Sequence, residues 1–189
     1  MPRASLQDGL IYLRAVNYSD IESIRHWRNS QIDVLRQASL ITCEEQERYF
    51  SEQIWPDKLS PYPKQVLLAI EKNYELIGYG GLVHLNWQDQ RAEVSFLLSP
   101  KIENSSNERA RIFLSFLGLI QELAFEDLGL SRLWTETFEF RTAHISVLEE
   151  AGFLLEGSLR SHVRINGKNI DSKLHGKLAK EWKEKQCTI

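Results

Sequence analysis

RTAHISVLEEAGFLLEGSLR, residues 141–160, reads as a short polar opening, a helix, a glycine stop and a strand. Ile145, Leu148 and Ala151 fall three apart and share one helical face, while Ser146, Glu149 and Glu150 point away from it. Gly152 suits the left-handed position just past a helix end, and Phe153 is placed to fold back onto the last turn. Leu154, Leu155 and Leu159 then carry the chain into a strand. The helix opens on Arg141 rather than on a small turn-forming residue, and local propensity gives no reason for that choice.

Upstream, the spacing predicts strands at residues 92–98 and 132–138, separated by a long helix at about 107–127. Ile112, Phe113, Phe116, Leu117, Ile120, Leu123 and Ala124 sit at core spacing in that helix, and Gly129 ends it. Downstream, Asn166-Gly167 between two alternating runs predicts a tight hairpin, because a type I′ turn needs positive φ at both central residues. In the first half, strands are expected at 10–16, 65–71 and 76–87, and helices at 19–29 and 42–55. Three capping boxes are expected, Ser19 with Glu22, Thr42 with Glu45, and Ser105 with Glu108. WPDKLSPYPK (55–64) reads as a surface loop. The whole is a mixed α/β (α+β) fold over residues 1–189, its core at about 10–180, with a mostly antiparallel sheet of about seven strands and about four flanking helices.

The chain has 189 residues, 42% hydrophobic and 26% charged, with a net charge of −3. That balance favours neither nucleic acid nor a membrane surface. No apolar run approaches the roughly 20 residues that span a bilayer, and MPRASLQDGL lacks an apolar signal core, so a cytoplasmic location is expected. Cys43 and Cys187 stand far apart with no metal-ligand spacing, so neither a disulfide nor a metal site is expected.

Three motifs in order resemble the GNAT acetyltransferase superfamily over roughly residues 10–180. They are the 92–98 strand leading to a helix that ends LAFEDLGL (123–130), the helix-to-strand closure ISVLEEAGF (145–153), and the tail EGSLRSHVRINGKNIDSKLHGKL (156–178). The tail and the WRN triplet at Trp27–Asn29 resemble a subgroup acting on nucleotide-linked amino sugars and on ribosomal-protein N-termini.

That resemblance implies an N-acetyltransferase using acetyl-CoA as co-substrate, with direct transfer to a primary amine. Acetyl-CoA carries a pyrophosphate, and a helix N-terminus is a site for it. The family places glycines there; this chain has Glu108, Arg109, Ala110 and Arg111. Arg109 and Arg111 either replace backbone approach with charge-assisted contacts to phosphate, or are solvated residues beside a degraded site. Glu93 resembles the subgroup's base, with Glu136 a second candidate, and each is equally readable as a sheet-face charge. The backbone N–H of Leu97 or Leu98 would hold the developing oxyanion. Leu148 stands where many relatives carry a tyrosine acid; His144 is the alternative acid, or an exposed first-turn residue. Arg141 either reaches the CoA phosphates or faces water.

On the acceptor side, Trp27, Arg28 and Asn29 are candidate pocket residues, and Tyr79 in IGYGG (77–81) lies where glycines thin a strand. His162, with Arg160 and Arg164, faces Lys173, His175 and Lys177 as a basic strip for an anionic acceptor, or as a solvated sheet face. The expected partner is a small-molecule amine or a protein N-terminus, with no nucleic acid or membrane partner, and a homodimer is left open. The rival expectation is a degenerate relative that keeps the sheet but no longer uses acetyl-CoA.

Overall fold

The computed structural model describes residues 5–35 and 37–186. The expectations for Cys187 and for residues 1–4 lie outside them. In chain order the elements are β1 Ser5–Asp8, β2 Ile11–Ala15, α1 Ile21–Ser30, α2 Cys43–Tyr49, α3 Trp55–Lys58, β3 Val66–Lys72 and β4 Glu75–Asn86. They continue with β5 Arg91–Leu98, α4 Pro100–Glu103, α5 Ser106–Glu122, β6 Arg132–Phe138, α6 Thr142–Glu150, β7 Leu154–Ile165, β8 Lys168–Leu178 and α7 Ala179–Gln186. A wide-turn segment, Phe50–Ile54, joins α2 to α3, and a second, Leu123–Asp127, extends α5.

All eight strands form one sheet in the order β1-β2-β3-β4-β5-β6-β8-β7. Every pair is antiparallel except β5 with β6. The sequence reading had one strand fewer, because β1 is only four residues long. It also missed the turn α4 and the C-terminal α7. Asn166 and Gly167 both take positive φ, as the I′ turn demands.

Side-chain alternation along the strands splits the core between two faces. On one, Leu68, Leu82, Leu98 and Leu133 pack against Ile112, Phe116 and Ile120 of α5. On the other, Ala69, Tyr79 and Leu97 meet Ile24, Phe50 and Ile54 from the α1–α3 layer. Arg14 of β2 ties the layers together, donating to both carboxylate oxygens of buried Asp20 at 2.7 and 2.9 Å and to Glu71 at 2.7 Å.

Two of the three expected caps differ. Thr42 and Glu45 form their box, but the first box is made by Asn17 and Asp20. Ser105 makes no side-chain cap, and Glu108 reaches to Lys72 Nζ at 2.5 Å rather than back to the Ser105 N–H. The basic strip also dissolves. Register shifts in β7 break its alternation, and His175 and Lys177 of β8 are buried.

Gly81 sits at φ +134°, where a Cβ would lie 2.0 Å from the Val66 carbonyl oxygen. Gly81→Ala is expected to cost about 3 kcal/mol of stability, from combined backbone strain and overlap. Chemical denaturation measures it, and an unchanged midpoint would contradict this placement of β3 against β4.

Candidate active site

β5 and β6 pair over only three residues, Arg91 with Arg132, Ala92 with Leu133 and Glu93 with Trp134. Beyond them β5 stays with β4 as far as Leu98, and β6 stays with β8 as far as Phe138. The two strands therefore part, and a cavity of about 270 Å³ occupies the gap. Ser99 donates its N–H to Ile77 at 2.8 Å. Antiparallel alternation then turns the N–H and C=O of Leu97 and Ser95 towards β4, and those of Phe96 and Leu98 towards the gap. The carbonyls agree, since a Cβ on Gly78 or Gly80 would strike Leu97 O or Ser95 O at 2.6 and 2.4 Å. Of the two expected oxyanion donors, Leu98 faces the gap and Leu97 lies in the ladder with Tyr79. Phe96 is a further gap-facing amide that the sequence reading missed.

Glu93 and Glu136 both line this cavity, one from each diverging strand. They share a sheet face, because Glu93 pairs with Trp134 and Glu136 follows two residues later. Each meets a histidine carried on an irregular stretch of another strand, β4 beside β5 for Glu93 and β7 beyond β8 for Glu136. His84 has φ +51° at a register shift in β4, and its Nε2 lies 3.7 Å from Glu93. His162 follows Ser161, at φ +52° in β7, and its Nε2 lies 3.5 Å from Glu136. Only the left-handed bulge turns His84 to Glu93, a placement that strand alternation does not reveal. His162 belongs to Glu136 rather than to a basic strip.

The start of α5 departs further from expectation. Arg109 is buried, and its Nε lies 3.8 Å from Glu103 Oε1. The same oxygen lies 3.5 Å from Arg141 Nη2. Arg109 Nη1 also approaches His144 Nδ1 at 3.5 Å. Ala110 packs on the core, and Arg111 is exposed to solvent. Arg109 is therefore not a solvated first-turn residue, whereas Arg111 is. Arg141 lines the cavity, and its side chain does not simply face water.

His144 is not an exposed first-turn residue. It is 6% exposed and stacks on Phe113, ring centroids 4.1 Å apart. Burial, then the charges of Arg141, Arg109 and His175, push its pKa well below the ordinary 6.5. It is neutral at pH 7, with Nδ1 towards Arg109 and the ring proton left for Nε2. Leu148 is fully buried in the core.

Of the WRN triplet, Arg28 alone reaches the cavities. It donates to the Tyr79 hydroxyl at 3.1 Å and to Gln37 at 3.1 Å. A second cavity of about 320 Å³, lined by Glu45, Tyr49, Gln65, Tyr79 and Ser95 among others, adjoins the first at Arg28, Val83 and Ser95. Trp27 packs on the α1–α3 core. Asn29 clamps the following loop, accepting from Ile41 N–H at 2.9 Å and donating to its carbonyl at 2.8 Å. Among the described residues no group of His, Cys, Asp or Glu is arranged to hold a metal ion, and no helix is long and apolar enough to cross a membrane.

Because the unfolded chain binds a proton at His144 that the folded chain refuses, this residue's contribution to stability is full above pH 6.5 and is lost as pH falls below it. His175, its pKa lowered first by burial, acts in the same direction. The melting temperature should therefore fall between about pH 7 and pH 5, less steeply in His144→Phe, which keeps the stack on Phe113. Parallel declines in the two proteins would contradict a buried neutral His144.

No curated protein matches the chain by sequence. Among solved structures, spermidine N-acetyltransferase from Vibrio cholerae in complex with CoA and spermine is similar, at TM-score 0.80 and 20% identity, covering 93% of this chain and 99% of that one. A dodecameric structure of the Vibrio cholerae enzyme in an intermediate state gives TM-score 0.79 at 20% identity, covering 93% and 97%. At that identity the likeness is one of fold. The sequence profile of the acetyltransferase (GNAT) domain matches residues 13–174, most of the chain, so the protein belongs to the GNAT family and is an acetyl-CoA-dependent N-acetyltransferase.

Proposed function

We propose that this protein acetylates a primary amine of a cationic, polyamine-like acceptor. The observation that carries the reading is the pair of carboxylates, Glu93 and Glu136, flanking the gap between β5 and β6 on the face where the second cavity opens. Carboxylates held on the walls of the gap attract the ammonium of a cationic acceptor. The basic strip that would have suited an anionic, nucleotide-bearing acceptor is absent, with His175 and Lys177 buried. The similar Vibrio cholerae fold, solved with spermine, points to the same acceptor class.

Acetyl-CoA supplies an activated acetyl thioester. Within the chain, Glu93 takes the proton that the ammonium must lose before it attacks. His84, exposed and 3.7 Å from Glu93, leads that proton to solvent. The Leu98 N–H points to where the carbonyl oxygen gains charge, and the Phe96 N–H lies about 7 Å back along the same edge. No tyrosine stands at Leu148, so the departing thiolate draws its proton from solvent; the neutral His144 imidazole offers an Nε2–H hydrogen bond but no proton. Arg28 and Tyr79, joined at the junction of the cavities, border the acceptor's path.

Incubation with acetyl-CoA and spermidine, spermine, a nucleotide-linked amino sugar or an N-terminal peptide, read as free thiol, tests this. Saturable release with the polyamines is expected. Preference for the amino sugar or the peptide overturns the acceptor class, and no release with any acceptor from the folded protein favours a degenerate binding module. Glu93→Gln should lower kcat about 100-fold at neutral pH and leave CoA affinity unchanged; unaltered turnover removes Glu93 as the base.

A further inference from the structure

The mouth of the gap beside α5 holds two guanidiniums and one carboxylate. Arg109 comes from the first turns of α5, Arg141 from the start of α6, and Glu103 from the short turn α4 that links β5 to α5. Both cations approach the same carboxylate oxygen, Glu103 Oε1, at 3.8 and 3.5 Å. These separations exceed the 2.7–2.9 Å of a well-made charge-assisted bond. The side chains of Arg109 and Arg141 are 9% and 18% exposed, so the surplus positive charge is held away from water. Burial and the nearby Arg109 charge both oppose protonation of Arg141, and both arginines also keep His144 neutral. One loosely held carboxylate therefore serves two partly buried cations, beside a helix start whose free N–H groups favour an anion.

We propose that Glu103 is an internal stand-in for a phosphate of acetyl-CoA, and that CoA binds by displacing it from Arg109 and Arg141. The inference rests on the acetyl-CoA reading above. Where the family brings phosphate close to glycine backbone, this chain keeps two arginines and fills the place between them with its own carboxylate. A pyrophosphate brings two charges and several oxygens, and so matches two guanidinium forks better than one carboxylate oxygen does. Glu103 is 25% exposed on a four-residue turn, and rotation of its side chain towards solvent clears the place without unfolding α5. No bond is made or broken in the exchange. It sets how tightly the donor is held and selects donors that carry the pyrophosphate.

The test is calorimetric titration of wild type, Glu103→Gln and Arg141→Gln with CoA and with pantetheine, which lacks the phosphates. Thermal melts establish that each variant folds. Glu103→Gln should bind CoA about five- to tenfold more tightly, since the competing charge is gone, with pantetheine affinity unchanged. Arg141→Gln should bind CoA about tenfold more weakly. CoA binding by Glu103→Gln alone, with none by wild type, is the same result in its extreme form. The exchange is overturned if wild type binds CoA and Glu103→Gln binds it equally or less tightly. It is also overturned if pantetheine affinity rises in parallel, because the gain then owes nothing to phosphate. Failure of both wild type and Glu103→Gln, each folded, to bind CoA removes the acetyl-CoA reading itself and the exchange with it.

Discussion

The parting of β5 from β6 after Glu93 and Trp134 is the constraint on which the site depends. A sheet that divides normally leaves unpaired backbone groups at two edges, which is costly when they are buried. Here the cost is limited because each strand keeps one full neighbour, β4 for β5 and β8 for β6. The remaining edge of β5 turns alternate amides, Phe96 and Leu98, away from β4, and Phe96 lines the cavity. One carbonyl on that edge is already satisfied, since Gln31 Nε2 donates to Leu98 O at 2.8 Å. The divergence also sets Glu93 and Glu136 on opposite walls. A single pairing decision thus supplies the gap, the gap-facing donors and the two acids.

Arg141 at the head of α6 now has a physical reason. Its carbonyl accepts the N–H groups of His144 and Ile145, both at 3.0 Å, so the His144 amide that a capping side chain would otherwise bond is already taken. The side chain is left to reach Glu103 across the gap. The same electrostatic cluster explains Arg109 at a place where glycine would be expected. A large cation there is compatible with the fold only because it turns inward to Glu103 and His144. His144 in turn stacks on Phe113, so the glycine-free start of α5 and the arginine-led start of α6 form one cluster.

Features set by neighbours in sequence were legible, and those set by partners across the sheet were not. The Asn166-Gly167 turn, the Thr42 cap and the 132–138 strand follow from local propensity, and the structure has them. The resemblance singled out Glu93 and the Leu97 or Leu98 amide, and Glu136 stood as the second strand carboxylate. His84 escaped notice because its approach to Glu93 depends on a left-handed residue in a bulge, which alternation alone does not reveal. The expected basic strip failed for a related reason, since the register shifts of β7 disrupt its alternation while β8 turns His175 and Lys177 into the core. Glu103 carries no local signal: its partners lie on two other elements. Glu108 looked like a capping carboxylate and instead meets Lys72, thirty-six residues away.

The open edge of β5 is most directly tested by native-state hydrogen exchange at single amides, with and without acetyl-CoA. Ser95 and Leu97, bound to β4, should exchange slowly in both conditions. Phe96 and Leu98 should exchange faster in the free protein and slow markedly when the thioester is added. Equal protection of all four amides in the free protein would mean that the strands are zipped together. Exchange at Phe96 and Leu98 that ignores acetyl-CoA would mean that the gap does not receive it.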